Sequence, residues 1–162
     1  MINSLSLSNF KSWKNADLRL GKLTGLFGTN SSGKSSLIHF LLMLKQTAES
    51  SDRAQVLDFG DEKSFVELGT FKDVIYDHDT SRSINFSVDW SLGETLKIID
   101  PTRKGKNLFE GKGIGFGCEI MQTEKGRLYV QKFSYDFSGF QFFDGKGQKD
   151  SYKYQTLCIS FS

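Results

Sequence analysis

A mixed α/β fold, with one helix set against a β-rich remainder, is predicted by three features of this 162-residue sequence. A G-x-x-x-x-G-K-S run stands at Gly28-Thr29-Asn30-Ser31-Ser32-Gly33-Lys34-Ser35. Directly after it, Leu37, Phe40, Leu41, Leu44 and Ala48 recur at helical spacing. Beyond residue 82 the period changes to two: Ile84, Phe86, Val88 and Trp90 alternate with polar neighbours, the mark of half-buried strands. Composition agrees, since 15 Phe, 5 Tyr and 2 Trp beside a single Pro suit a sheet-rich chain.

Taken in order, Leu5 and Leu7 alternate with Ser4, Ser6 and Ser8 and predict a first strand. Asn9 to Asn15 reads as a turn, and Leu18 with Leu20 as a second strand. The short apolar run Leu23-Thr24-Gly25-Leu26-Phe27 predicts a third, buried strand leading into the glycine-rich loop. Ile38, Leu42 and Met43 widen the apolar face of the helix, which predicts packing on more than one side, and the polar stretch Glu49–Arg53 ends it. Residues 54–80 show no clean period. Ser91-Leu92-Gly93-Glu94 reads as a hairpin turn into Thr95–Asp100, and Pro101 to Gly113 as a basic loop. Further strands are predicted within 114–122, 127–137, 140–143 and 152–161, with Glu124-Lys125-Gly126 as one of the turns.

The glycine-rich loop carries the chemistry. Glycines let the chain curl so that successive amides face a phosphate, and a helix that begins there adds its positive dipole end. The candidate nucleotide-binding residues are Gly28, Asn30, Ser31, Ser32, Gly33, Lys34, Ser35 and Ser36. Lys34 supplies the cation for the β- and γ-phosphates and is the candidate catalytic residue, while the Ser35 hydroxyl is the candidate Mg²⁺ ligand. A turn joining strand to helix needs no Lys-Ser at the helix start, so phosphate binding is preferred over a plain loop. No Asn-Lys-x-Asp guanine-reading element occurs, which favours ATP.

Hydrolysis also needs an acidic strand end for Mg²⁺ and water. Leu96-Lys97-Ile98-Ile99-Asp100 and Val56-Leu57-Asp58 are poor candidates, better read as strands closed by a turn. Ser138-Gly139 lies between aromatic strands and is rejected as a signature loop. His39 and His78 have no ligand-spaced partners. The basic cluster Arg103-Lys104-Gly105-Lys106 with Lys112 reads as a solvated loop, and the aromatics at 127–143 as core rather than a base-stacking platform.

A net charge of +2 is too mild to argue for nucleic acid. Cys118 and Cys158 are 40 residues apart and read as buried free thiols in a reducing compartment. No membrane-length apolar run and no secretion signal is present, and the expectation is a cytoplasmic protein. The apolar share of 38% and the length fit one domain. Because the last segment is strand-like to its final residue, a longer protein is expected.

Leu5-x-Leu7-x-Asn9-Phe10-Lys11-Ser12, then Leu18-x-Leu20, then Gly28 to Ser36 together resemble the start of ABC-type ATPase heads. The resemblance is to the RecF, SMC-like and OLD-type branch, whose bacterial members are AAA-family ATPases. Leu68-Gly69-Thr70-Phe71-Lys72-Asp73 with Asp77-His78-Asp79 resembles a segment of a bacterial subgroup of it. The resemblance implies a P-loop NTPase N-terminal lobe, with a mixed sheet around the P-loop helix and an antiparallel β layer. It implies that 1–162 is a single ATP-binding lobe, lacking a C-terminal lobe with the acidic residues and signature loop. ATP and Mg²⁺ would be bound, with Lys11 and Ser12 approaching the nucleotide and one of Gln122, Gln131, Gln141 or Gln155 touching the metal. Two heads would sandwich ATP in a homodimer, and hydrolysis would need both the other lobe and the dimer. DNA or a nuclease as partner, and a role in DNA repair or antiviral defence, follow from the same resemblance. The rival reading is a module that binds nucleotide without turning it over. A small P-loop kinase would need Arg-rich lids and repeated helices, which the β-rich second half contradicts.

Overall fold

Alternating leucine and serine make Ile2–Phe10 strand β1, with Leu5, Leu7 and Phe10 buried. In this computed structural model the described backbone comprises residues 1–99, 107–138, 141–143, 149–151 and 154–160, with side chains described within 1–99 and 110–137. The first return is tighter than a turn over 9–15: Phe10 pairs with Trp13 across Lys11 and Ser12, and β2 (Trp13–Arg19) runs back antiparallel. Asn9 and Lys11 take left-handed φ values of 58° and 49° to make that reversal.

The strand predicted at Leu23–Phe27 does not form. The segment is irregular, and Leu23 and Phe27 are 95% and 94% exposed. An extended apolar run becomes a strand only when neighbours take up its N–H and C=O groups. Among the described residues none does, and every strand pair is antiparallel. The antiparallel layer is therefore present, whereas no mixed sheet surrounds the helix among the described residues.

Helix α1 spans Lys34–Glu49 and ends where the polar stretch begins. Its buried residues, Leu37, Phe40, Met43 and Gln46, make one stripe against the sheet. Packing on more than one side is not observed, and Ile38 is 52% exposed. Phe40 sits edge-on between Phe10 of β1 and Phe86, with centroids 5.1 and 5.2 Å away. After the helix the chain loops back to it. The amide of Gln46, 5% exposed, donates to the carbonyls of Asp58 (2.7 Å) and Val66 (3.3 Å) and accepts from the Val66 N–H. The Thr47 hydroxyl accepts from the Asp58 N–H at 2.8 Å. A short helix α2, Phe71–Val74, starts at a Thr70/Asp73 capping box and leads through Ile75 to a 3-10 turn, Tyr76–His78.

The rest is sheet. Strand β3 (Ile84–Ile99) is continuous, and the hairpin predicted at 91–94 is instead a bulge. Ser91 pairs with Gly113 and Leu96 with Gly111, so both flanks of the bulge keep the same partner and the intervening residues are extruded. That partner, β4 (Asn107–Gln122), includes residues 107–113 that the sequence assigns to a loop. Pro101 to Lys106 and Asp100 lie outside the described residues. Thr123–Arg127 turns β4 into β5 (Leu128–Ser138), and Gly126 supplies its positive φ of 83°. Strands β6 (Gln141–Phe143), β7 (Lys149–Ser151) and β8 (Tyr154–Ser160) follow. The main order is β2-β1-β3-β4-β5-β8, with β6 pairing β4 and β7. Phe116, Phe133 and Tyr135 continue the aromatic packing along this face, with Phe116–Phe133 centroids 4.9 Å apart.

Candidate phosphate-binding loop

Between β2 and α1 the chain makes a crook whose bends are read from its dihedrals. Ser31 and Gly33 take φ of 64° and 85°, and Gly28 takes 155°. The Ser32 N–H closes a turn onto the Thr29 carbonyl at 3.3 Å. Positive-φ residues spaced in this way let successive amides turn toward one side, the geometry from which anion-binding concavities are built. The crook is exposed from Gly28 to Ser32 and opens to solvent. Three cavities among the described residues lie away from the crook: about 260 Å³ beside Ser6, Ser8, Asn85 and Glu119, about 280 Å³ beside Gln46, Asp58 and Ser64, and about 180 Å³ beside Leu18, Leu26, Ile38 and Leu41.

Lys34 lies across the crook. Its ammonium donates to the carbonyls of Gly28 at 2.8 Å and Thr29 at 2.5 Å, and to the Ser32 hydroxyl at 3.2 Å. Those contacts match the three donors of an ammonium, so the charge is held at the loop rather than free in solvent. Ser35, in the first turn of α1, is exposed, and the Ser36 N–H bonds the Gly33 carbonyl at 3.0 Å. No acidic residue occupies that first turn, and the helix start has no side-chain cap, so the amides ahead of Ser36, those of Lys34 and Ser35, remain open to an anion.

Of the two residues suggested from the β1–β2 turn, Ser12 is brought to the loop. A Cβ on Gly33 would stand 2.5 Å from its Oγ. Lys11 is tied by its backbone to another neighbour, its N–H donating to the Val74 carbonyl at 2.6 Å. Trp13 carries no motif and is not foreseen in the sequence. Its indole N–H donates to the Gly33 carbonyl at 3.0 Å, and the same imagined Cβ would meet its Nε1 at 2.5 Å. Gly33 is thus required twice, for its left-handed φ and for contact with this turn. The only sequence signal is an aromatic placed directly after the two-residue turn.

Two further candidates have local structural partners. Asp58 Oδ1 accepts from the Gly60 N–H at 2.9 Å and builds a turn. Gln122 donates to the Gly126 carbonyl at 3.0 Å and braces the β4–β5 hairpin. The side chains of Gln141 and Gln155, the basic residues 103–106, Gly139 and the thiol of Cys158 lie outside the described residues. His78 Nδ1 is paired with the Lys72 carbonyl at 2.8 Å, and no group of three His, Cys, Asp or Glu suited to a metal occurs among the described residues. Cys118 is a free thiol that burial pushes up to about 11, poorly suited to nucleophilic work. No helix among the described residues is long and apolar enough to cross a membrane.

A family model described as the AAA ATPase domain matches residues 1–157. No curated protein matches the chain. A solved chain described under ATP-driven dimerization and DNA-stimulated activation of SMC ATPases is similar over 83% of this chain and 67% of that one. It is 17% identical with a TM-score of 0.43, a likeness too distant to bear on function.

Proposed function

The chain belongs to the AAA ATPase domain family, and from that premise we propose that it binds ATP at Gly28–Ser36 as the N-terminal half of an SMC/RecF-like ATPase head. The observation that carries the reading is Lys34 pinned across a loop with positive φ at Gly28, Ser31 and Gly33, directly before the start of a helix. The donor set suits a triphosphate: it offers backbone N–H groups, the start of a helix and one ammonium, with no carboxylate in the first turn. Lys34 would stabilise charge on the γ-phosphate, exchanging its Ser32 contact, the longest of the three, for a phosphate oxygen. Gly28, Asn30, Ser31, Ser32 and Gly33 would give the cradle, Ser36 a hydroxyl beside it, and Ser12 and Lys11 the approach from the β1–β2 turn. Ser35 is the residue that would hold Mg²⁺, whose chemistry when bound is to neutralise charge between phosphate oxygens.

Hydrolysis would require acidic residues that the described part of this chain does not bring to the loop. They would come from a C-terminal lobe, and a second head would complete the ATP site in a homodimer. The bare Leu23–Phe27 run supports that division, because a strand preceding a phosphate loop would be covered once the other lobe supplied its neighbours. DNA or a nuclease as partner, and work in DNA repair or antiviral defence, belong to the same proposal. Missing acidic residues equally favour the second reading, a module that holds nucleotide without turning it over. Isothermal titration of Mg-ATP into the parent and into Lys34→Ala tests the site. Saturable binding in the parent with about 10- to 100-fold weaker binding in the variant is expected, the loss of a charged hydrogen-bond set. Equal binding in both removes the assignment. Steady-state turnover by the complete protein separates the two readings.

A further inference from the structure

We propose that Trp13 is a positioning residue of the nucleotide site, holding the peptide that joins the loop to helix α1. The inference rests on the reading of Gly28–Ser36 as a nucleotide loop and adds a residue outside that motif. The Gly33 carbonyl receives two hydrogen bonds, from the Ser36 N–H at 3.0 Å and from the Trp13 indole at 3.0 Å, which fills both of its lone pairs. In a planar trans peptide the C=O and the following N–H point in opposite directions. Fixing the oxygen of Gly33 therefore fixes the direction of the Lys34 amide, at the residue whose ammonium spans the loop.

Three features make the indole a clamp rather than a passing contact. Gly33 has φ 85° and ψ 6°, outside the helical region, and no side chain caps α1 there, so the first peptide lacks the usual support. The Trp13 ring lies flush on Gly33, at a distance that any Cβ would forbid. The turn that carries Trp13 is itself anchored, because Phe10 is fully buried, Phe10 bridges to Ile75, and the Lys11 N–H bonds the Val74 carbonyl. The clamp is thus mounted on the core, while the loop it holds is open to solvent.

The chain has two tryptophans, Trp13 and Trp90. In a Trp90→Phe background, Trp13 is the sole indole reporter, and its emission should change saturably with Mg-ATP. Trp13→Phe, which keeps an aromatic ring and removes the donor, should bind a fluorescent ATP analogue about three- to tenfold more weakly, the loss of one neutral hydrogen bond. A benzothienyl isostere of tryptophan at position 13, with sulfur in place of N–H, should show the same weakening at an unchanged melting temperature. Weakening in the isostere without loss of stability supports positioning over packing. Unchanged affinity in the isostere, or a Trp13 emission that ignores ATP binding seen by calorimetry, overturns the inference and leaves the nucleotide site standing. If the parent chain fails to bind ATP at all, the nucleotide reading falls and this inference falls with it.

Discussion

At the scale of single residues, the molecule separates groups held ready from groups used up in structure. Lys34 is of the first kind: its partners are two carbonyls and a hydroxyl, none charged, so an anion can take their place. Asp79 is of the second kind. It accepts from the Ser81 hydroxyl at 2.6 Å and from Arg82 Nε at 2.8 Å, and these bonds, with the Ser81 amide, hold its carboxyl down to about 2 from 3.8. A folded-state value below the ordinary one means stability that is present above 3.8 and lost as pH falls toward about 2. Asp79→Asn should therefore lower the melting temperature at neutral pH, with the gap to the parent closing between about pH 4 and pH 2. A gap independent of pH would show that the carboxylate bonds do not stabilise the turn. Cys118, pushed up to about 11 by burial, should alkylate at pH 8 about a hundredfold more slowly than an ordinary thiol until the protein unfolds. Timed labelling followed by mass spectrometry reads that rate directly.

At the scale of elements, α1 has two jobs on one face. Its N-terminal half meets the sheet through Phe40, wedged between Phe10 and Phe86, and Phe40→Ala should cost about 3–5 kcal/mol in chemical denaturation. Its C-terminal half ties down the following loop through Gln46. Gln46→Ala would leave the Asp58 carbonyl and the backbone of Val66 without their partner, a cost of about 1–3 kcal/mol. Limited proteolysis should then cut first within residues 58–66, and an unchanged cleavage pattern would argue against the tie. The sequence pattern shows the helix and its apolar positions because a 3.6-residue period survives in any context. It does not show Gln46 as buried, since a polar residue on an apolar stripe reads as a flaw until its partners, 12 and 20 residues away, are known. The bulge in β3 escaped for a related reason: a Ser-Leu-Gly-Glu run can end a strand or swell it, and only the common partner β4 decides.

At the scale of the whole molecule, a broad antiparallel sheet carries one long helix among the described residues, and the apolar run entering the glycine-rich loop is left in solvent. Leu23 and Phe27 bury almost nothing here, so Leu23→Ser with Phe27→Ser should shift this chain's stability by no more than about 0.5 kcal/mol. The same pair should reduce self-association in analytical ultracentrifugation, because exposed apolar runs promote it. A large loss of stability would mean that the run is buried in solution. Ile38, partly exposed and lining one cavity with Leu26 of that run, extends this uncovered area along α1.

By itself, the sequence determined the glycine-rich loop, the helix behind it, the first two strands and the β-rich second half. Each is written in local chemistry or in a short period, which neighbours in the chain enforce. Tertiary structure alone decided that Leu23–Phe27 would stay unpaired, that β3 would bulge rather than turn, and that Trp13 would close on Gly33. Those outcomes depend on which distant backbone groups arrive to satisfy hydrogen bonds, and a hydrogen bond across twenty residues leaves no pattern in either segment.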